Sequence, residues 1–195
     1  MNIDDVLNNI EEGRYPRNPR VDIPEPFQND AGSIWNLAHG TFGSASFIKS
    51  MPGTVRSNHF HKTDSHFIYV VSGFMYYYWR PVSPNSATPP CERIRVNKGQ
   101  LIFTPPLVEH ATYFPAETEI LTLNKYKRDR DTHEADLIRV MPLITTEVCP
   151  AVMNGQRCCL PFETTRDSPL NNSHCGDRHE TIDGSSYSFA GMMAI

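Results

Sequence analysis

No stretch of this chain approaches the roughly 18 apolar residues that a membrane-spanning helix requires, so none is expected. The opening segment, MNIDDVLNNIEEGRYP, is acidic and lacks the apolar core of a secretory signal. Basic blocks are missing too. The densest patch, KYKRDRD at 125–131, has acids interleaved, and the net charge is −4. Gripping nucleic acid or an anionic membrane takes a positive face, so neither partner is expected. Cysteine is scarce before the last quarter, where Cys149, Cys158, Cys159 and Cys175 make up four of the five. An odd count without an export signal argues against a disulfide framework. The expectation is a cytoplasmic protein with reduced thiols.

What is present belongs to a globular protein: 39% hydrophobic and 21% charged residues over 195 positions, enough for one domain with something appended. Residues 1–32 read as a lead-in. A short helix over 4–12, capped by Asp4 or Asp5, would place Val6, Leu7 and Ile10 on one face. Pro16, Pro19, Pro24 and Pro26 then predict extended chain. From 33 to 126 the pattern is all strand. The runs SASFIKS, HFIYVVSG, FMYYYWRP, CERIRV, QLIFTP, EHATYF and EILTLNKY are separated by Gly, Pro, Asn and Ser. That spacing predicts an antiparallel sandwich or barrel, with PVSPNSATPPC (81–91) as a long hairpin connection. Residues 127–195 form an extension: RDRDTHEADLIRVMPLI reads as a strand or short helix, and 149–195 as turn-rich chain that is weakly ordered or irregular, or else packed on the barrel or on a second subunit. No internal repeat is visible.

Histidine supplies the chemistry. The chain has eight, and three of them, His59, His61 and His66, fall within eight positions. Two residues apart on a strand, His59 and His61 share a face. The KTDS connection lets His66 fold back beside them, and His110 opens a later strand in TPPLVEHATYF. Converging neutral imidazoles suit a borderline divalent metal such as Fe, Zn, Ni or Mn.

The segment PGTVRSNHFHKTDSHFIYVVSG resembles the first cupin motif, G(X)5HXH(X)3-4E(X)6G, with Gly53, His59, His61 and Gly73 in register and His66 in place of the acidic residue. Gly99, Pro105 and His110 fit the second motif, G(X)5PXG(X)2H(X)3N, whose inner glycine is here Leu107 and whose final Asn is Phe114. The resemblance implies an all-β double-stranded β-helix (jelly-roll) barrel over 33–126. It also implies His59, His61 and His110 as metal ligands, with His66 as fourth ligand or hydrogen-bonding neighbour.

Arg56 before NHFH, the preceding DAGSIWNL and the TPP…EHA turn resemble cupins of bacterial capsule and lipopolysaccharide clusters, related to sugar-nucleotide epimerases and isomerases. This implies a small-molecule keto-sugar substrate, with His59 or His66 as base or ligand, although the dTDP-sugar epimerases proper use a histidine base without a metal triad. HFHKTDSH also resembles the ligand segment of thiol dioxygenases, which implies an all-histidine iron site instead. Cupins that only bind a sugar or a metal are the third class.

Other residues carry weaker signals. Tyr76–Trp79 predict one face in the core and the other in a homodimer interface. Arg56 is a clamp for an anionic group, although its parity puts it opposite His59 unless the strand is bulged. Glu109 is a candidate general base beside His110, and Pro105–Pro106 fix the turn that aims His110. His174, Cys175 and His179 match no closed zinc spacing, and His39 and His133 read as surface residues.

Overall fold

The computed structural model describes residues 1–11, 17–83 and 88–144, so the cysteine- and histidine-containing tail beyond 144 lies outside the described residues. Helix α1 (Ile3–Glu11) starts where Asn2 Oδ1 accepts the Asp5 amide at 2.8 Å. Asn2 is therefore the cap, and Asp4 and Asp5 occupy the first turn, at the positive end of the helix dipole. The proline-rich lead-in is not merely extended. It holds β1 (Arg20–Val21) and a hairpin of β2 (Phe27–Asn29) and β3 (Gly32–Ile34) that pairs with no other strand among the described residues.

The barrel strands follow in chain order: β4 (Ser44–Ser50), β5 (Thr54–His61), β6 (His66–Ser72), β7 (Phe74–Pro81), β8 (Glu92–Asn97), β9 (Leu101–Thr104), β10 (Val108–Phe114) and β11 (Thr118–Asn124). Beyond them the predicted "strand or short helix" is both: α2 (Arg130–Asp136) runs directly into β12 (Leu137–Arg139). One sheet has the order β1-β9-β6-β11-β4 and the other β12-β5-β10-β7-β8, all pairs antiparallel. Gly73 alone links β6 to β7 at φ 73°. A Cβ there would strike the Glu117 carbonyl, so the motif glycine is required both by conformation and by space.

The central strands are buried on both faces, which is why their apolar runs are nearly continuous. On β6, Ile68 and Val70 face the interior with Met75, Tyr77 and Trp79 of β7, Val96, Ile102, Phe114 and Ile120. Phe67 points the other way and, with Leu101 and Phe103, is covered by Ile3 and Val6 of α1. Each such large side chain contributes about 1.5–3 kcal/mol by burial. The outward face of β7 does not wait for a second subunit: Tyr78 packs with Ala111 and Tyr113 under this chain's own Leu143 and Ile144. Strand alternation tells which residues point outward, not what covers them. Exposed aromatic surface lies elsewhere, at Phe27, Trp35 and Phe47. Among the described residues no helix is long and apolar enough to cross a membrane.

Candidate functional site

The histidines stand on the inward faces of β5, β6 and β10 at one end of the barrel. His110 is in register with His59, but the next pair is Ala111 with Ser57, so Asn58 is an extra residue in β5. Ser57 (φ 73°) and Asn58 (φ 62°) both lie in the left-handed region, the strained backbone of a β-bulge. The bulge is held from the extension: Asn58 Oδ1 accepts the Leu143 amide at 3.1 Å, and its carbonyl accepts the Val140 amide at 3.1 Å.

One inserted residue reverses parity below it. Arg56 therefore pairs with Thr112 and shares the inward side with His59, despite their odd spacing. Its guanidinium is bound to Ser50 Oγ at 2.9 Å and the Lys49 carbonyl at 3.2 Å, on the neighbouring sheet. Glu109 is turned to the outer face, in register with Arg80 and ion-paired to it.

The donor nitrogens of His59, His61 and His110 lie within 4.8 Å of one another. Ring centroids are 4.7 Å apart for His59–His110 and 4.8 Å for His59–His61. His66 stands beside this triad, 5.4 Å from His110 and 5.5 Å from His61. All four imidazoles are held neutral. Burial is the first cause in each case, taking His110 down to about 3 and His59, His61 and His66 below their ordinary value.

Their tautomers follow from their partners. His110 Nδ1 is 3.0 Å from the Val108 carbonyl, an acceptor only, so it carries the proton and Nε2 keeps a bare lone pair. That Nε2 is buried and has no hydrogen-bond partner among the described residues. His61 Nδ1 likewise faces Asp136 Oδ2 at 3.0 Å and leaves its Nε2 as a lone pair. A carboxylate or carbonyl behind a histidine, with a bare nitrogen in front, is the arrangement that orients metal ligands. Three neutral nitrogens and an orphaned buried lone pair fit a borderline divalent cation.

Three neighbours escaped the sequence. Asp136, the last residue of α2, accepts from His61, Thr63 and the Asp64 amide. Burial raises its carboxyl, but these donors outweigh it and the net shift is downward. Arg128 brings Nη2 to 3.3 Å from His66 Nδ1 and 3.5 Å from His61 Nε2. His133, expected at the surface, is partly buried with its ring 5.5 Å from that of His61. They lie 62 to 75 positions from the residues they touch, and no local spacing announces them. A second acidic grouping, His61 with Asp64 and Asp136, is occupied with backbone amides of the 62–65 turn. Tyr77 stacks on His110 at 6.1 Å and hydrogen-bonds Thr104 at 2.8 Å. Burial raises its phenol, so it stays protonated.

No known family's sequence profile matches the chain, and no curated protein does. Solved structures do. A dTDP sugar isomerase from Desulfovibrio desulfuricans G20 superposes with TM-score 0.50 and 11% identity, over 62% of this chain and 81% of that one. The dTDP-4-dehydrorhamnose 3,5-epimerase of Sulfolobus tokodaii gives 0.52 and 13%, over 63% and 77%. The capsular polysaccharide assembling protein CapF of Staphylococcus aureus, at 0.44 and 19% over 63% of this chain and 35% of its own, overlaps too little to add to the assignment. At these identities the likeness is one of fold. The molecule is a cupin-fold barrel with a histidine cluster in its interior, as the two motifs implied.

Proposed function

We propose that this chain is a metal-binding cupin enzyme of the isomerase or epimerase type, acting on a sugar nucleotide in surface-polysaccharide synthesis. The observation that carries the metal half is the bare, buried Nε2 of His110 facing two further imidazole donors. The substrate half is supported by the overlap with a dTDP sugar isomerase and a dTDP-sugar 3,5-epimerase. In this reading His59, His61 and His110 hold the ion, and the Val108 carbonyl and Asp136 fix the proton on Nδ1 of His110 and His61. The bound metal supplies a Lewis acid for a carbonyl oxygen. His66 Nδ1, whose lone pair faces Arg128 Nη2 at 3.3 Å, takes the proton from the carbon beside that carbonyl once the guanidinium has turned to the substrate's anionic group, and returns it to the same or the adjacent carbon. Arg56, on the inward side, is proposed as the clamp for an anionic group. Glu109 faces Arg80 outside the barrel, so the base role goes to His66. A homodimer is part of the proposal, supported by Phe27 and Ile34 exposed on the β2–β3 hairpin, Trp35 just after it, and Phe47 on strand β4.

The test is hydrogen exchange. Incubated with a nucleoside-diphosphate 4-keto sugar in deuterium oxide, the protein should wash deuterium into a carbon beside the carbonyl, without oxygen consumption. His66→Asn should reduce the rate by about 100-fold or more, the span of general-base contributions. One observation favours a second reading, an iron dioxygenase: the close triad consists of histidines alone. Oxygen uptake with iron and no exchange would establish it. Neither response would leave a binding module.

A further inference from the structure

Arg128 sits where a cation is least expected. Its side chain is only 21% exposed, and Nη2 reaches into the histidine cluster: 3.3 Å from His66 Nδ1, 3.5 Å from His61 Nε2 and 3.5 Å from Asp64 Oδ2. Nε is buried with no acceptor among the described residues. A guanidinium has five N–H donors and no acceptor. Among the described residues, two of its three partners are neutral ring nitrogens at the long end of hydrogen-bond range. The one carboxylate, Asp64, already accepts the Ser65 and Tyr126 amides. The group is thus held in place while much of its capacity for anions is unused.

The lone pair it touches on His61 is the one the metal reading needs. One lone pair cannot serve both, and a guanidinium 3.5 Å from a ligand nitrogen repels a cation held by that nitrogen in a partly buried site. We propose that Arg128 is a tethered counter-cation that makes metal retention depend on an anionic ligand, the inference resting on the metal reading above. Without an anion the guanidinium competes with the ion for His61. With a carboxylate, enolate or other oxyanion between them, metal and guanidinium hold the same ligand from two sides, and the repulsion becomes a clamp. Arg128 is then a positioning and selectivity residue that favours substrates presenting an oxyanion at the metal. Because such coupling is reciprocal, the anion tightens the metal as much as the metal tightens the anion.

Cobalt(II) titration of the metal-free full chain, followed by absorbance with and without formate as the anion probe, tests this directly. Without formate, Arg128→Gln should bind cobalt about tenfold more tightly than wild type. Formate should tighten the wild type about tenfold and leave the variant unchanged, a coupling within the usual range. Equal affinities and equal formate responses in the two proteins would overturn the inference and leave the metal reading standing. No cobalt binding by either protein, with or without formate, would remove the metal reading and this inference with it. Because Arg128→Gln leaves Asp64 without its cation, Asp64→Asn/Arg128→Gln repeats the comparison with both charges removed, and the same outcomes decide it.

Discussion

The same strands line the barrel with two different materials. At one end β6 contributes His66, β9 Thr104, β11 Asn124, and β5 and β10 bring His59, His61 and His110. At the other end the inward faces carry Val70, Met75, Val96, Phe114 and Ile120. Burial helps the second set, since apolar surface leaves water. It works against the first, because desolvation is the leading cause of every lowered imidazole. A fold seeking stability alone would not keep four histidines inside. Groups this strongly perturbed, gathered in one cluster, point to a working site.

Substitutions at either end separate stability from the histidine cluster. Phe114→Ala, at a fully buried position, should cost about 3–5 kcal/mol in urea unfolding while the folded fraction keeps its metal uptake. If metal uptake falls with stability, the two ends are not separable. At the polar end Asp136→Asn removes the acceptor behind His61 and should weaken metal affinity by about 10–100-fold, measured by competition with a chelator.

Acid sharpens the contrast. The native imidazoles resist protonation, His110 down to about 3, whereas unfolded histidines take up protons below about 6.5. The unfolded state therefore binds more protons in that window, so stability is full above pH 6.5 and is lost as the pH falls toward 3. Each histidine contributes up to about 1.4 kcal/mol per pH unit there. Urea midpoints of the metal-free protein between pH 7 and 5 should show a slope above one proton per molecule, and His110→Ala should flatten it. A flat wild-type profile would contradict neutral burial. The smallest effect belongs to Leu107, which holds the left-handed conformation (φ 57°) at the place where the motif has glycine. Its amide donates to the His61 carbonyl at 2.8 Å, so the strain is tolerated in a turn stitched to the histidine-bearing strand β5. Leu107→Gly should stabilise by about 0.5–1 kcal/mol, read as a raised melting temperature.

The apolar end was the more legible. Each of the seven β-rich runs between SASFIKS and EILTLNKY became a strand with ends shifted by at most two residues, because alternation and turn residues are local signals. The histidine spacing was legible for the same reason: all four inward imidazoles could be named from two short segments. What surrounds them could not. Parity alone could not place Arg56: it sits opposite His59 unless the strand is bulged, and the Ser57–Asn58 bulge inserts one residue without glycine to announce it. Arg128, His133 and Asp136 come from the extension, whose α2–β12 segment docks on β5 through Leu137–Arg139. Contacts of that range are made by the fold, so they were visible only once the fold was.

The proposed metal site consists of His59, His61 and His110. Metal analysis of protein purified without chelator or histidine tag, beside the His59→Ala/His61→Ala variant, tests it most directly. Close to one transition-metal ion per wild-type chain is expected, and none in the variant. A wild type that holds no more metal than the variant, and takes none up on titration, would contradict it.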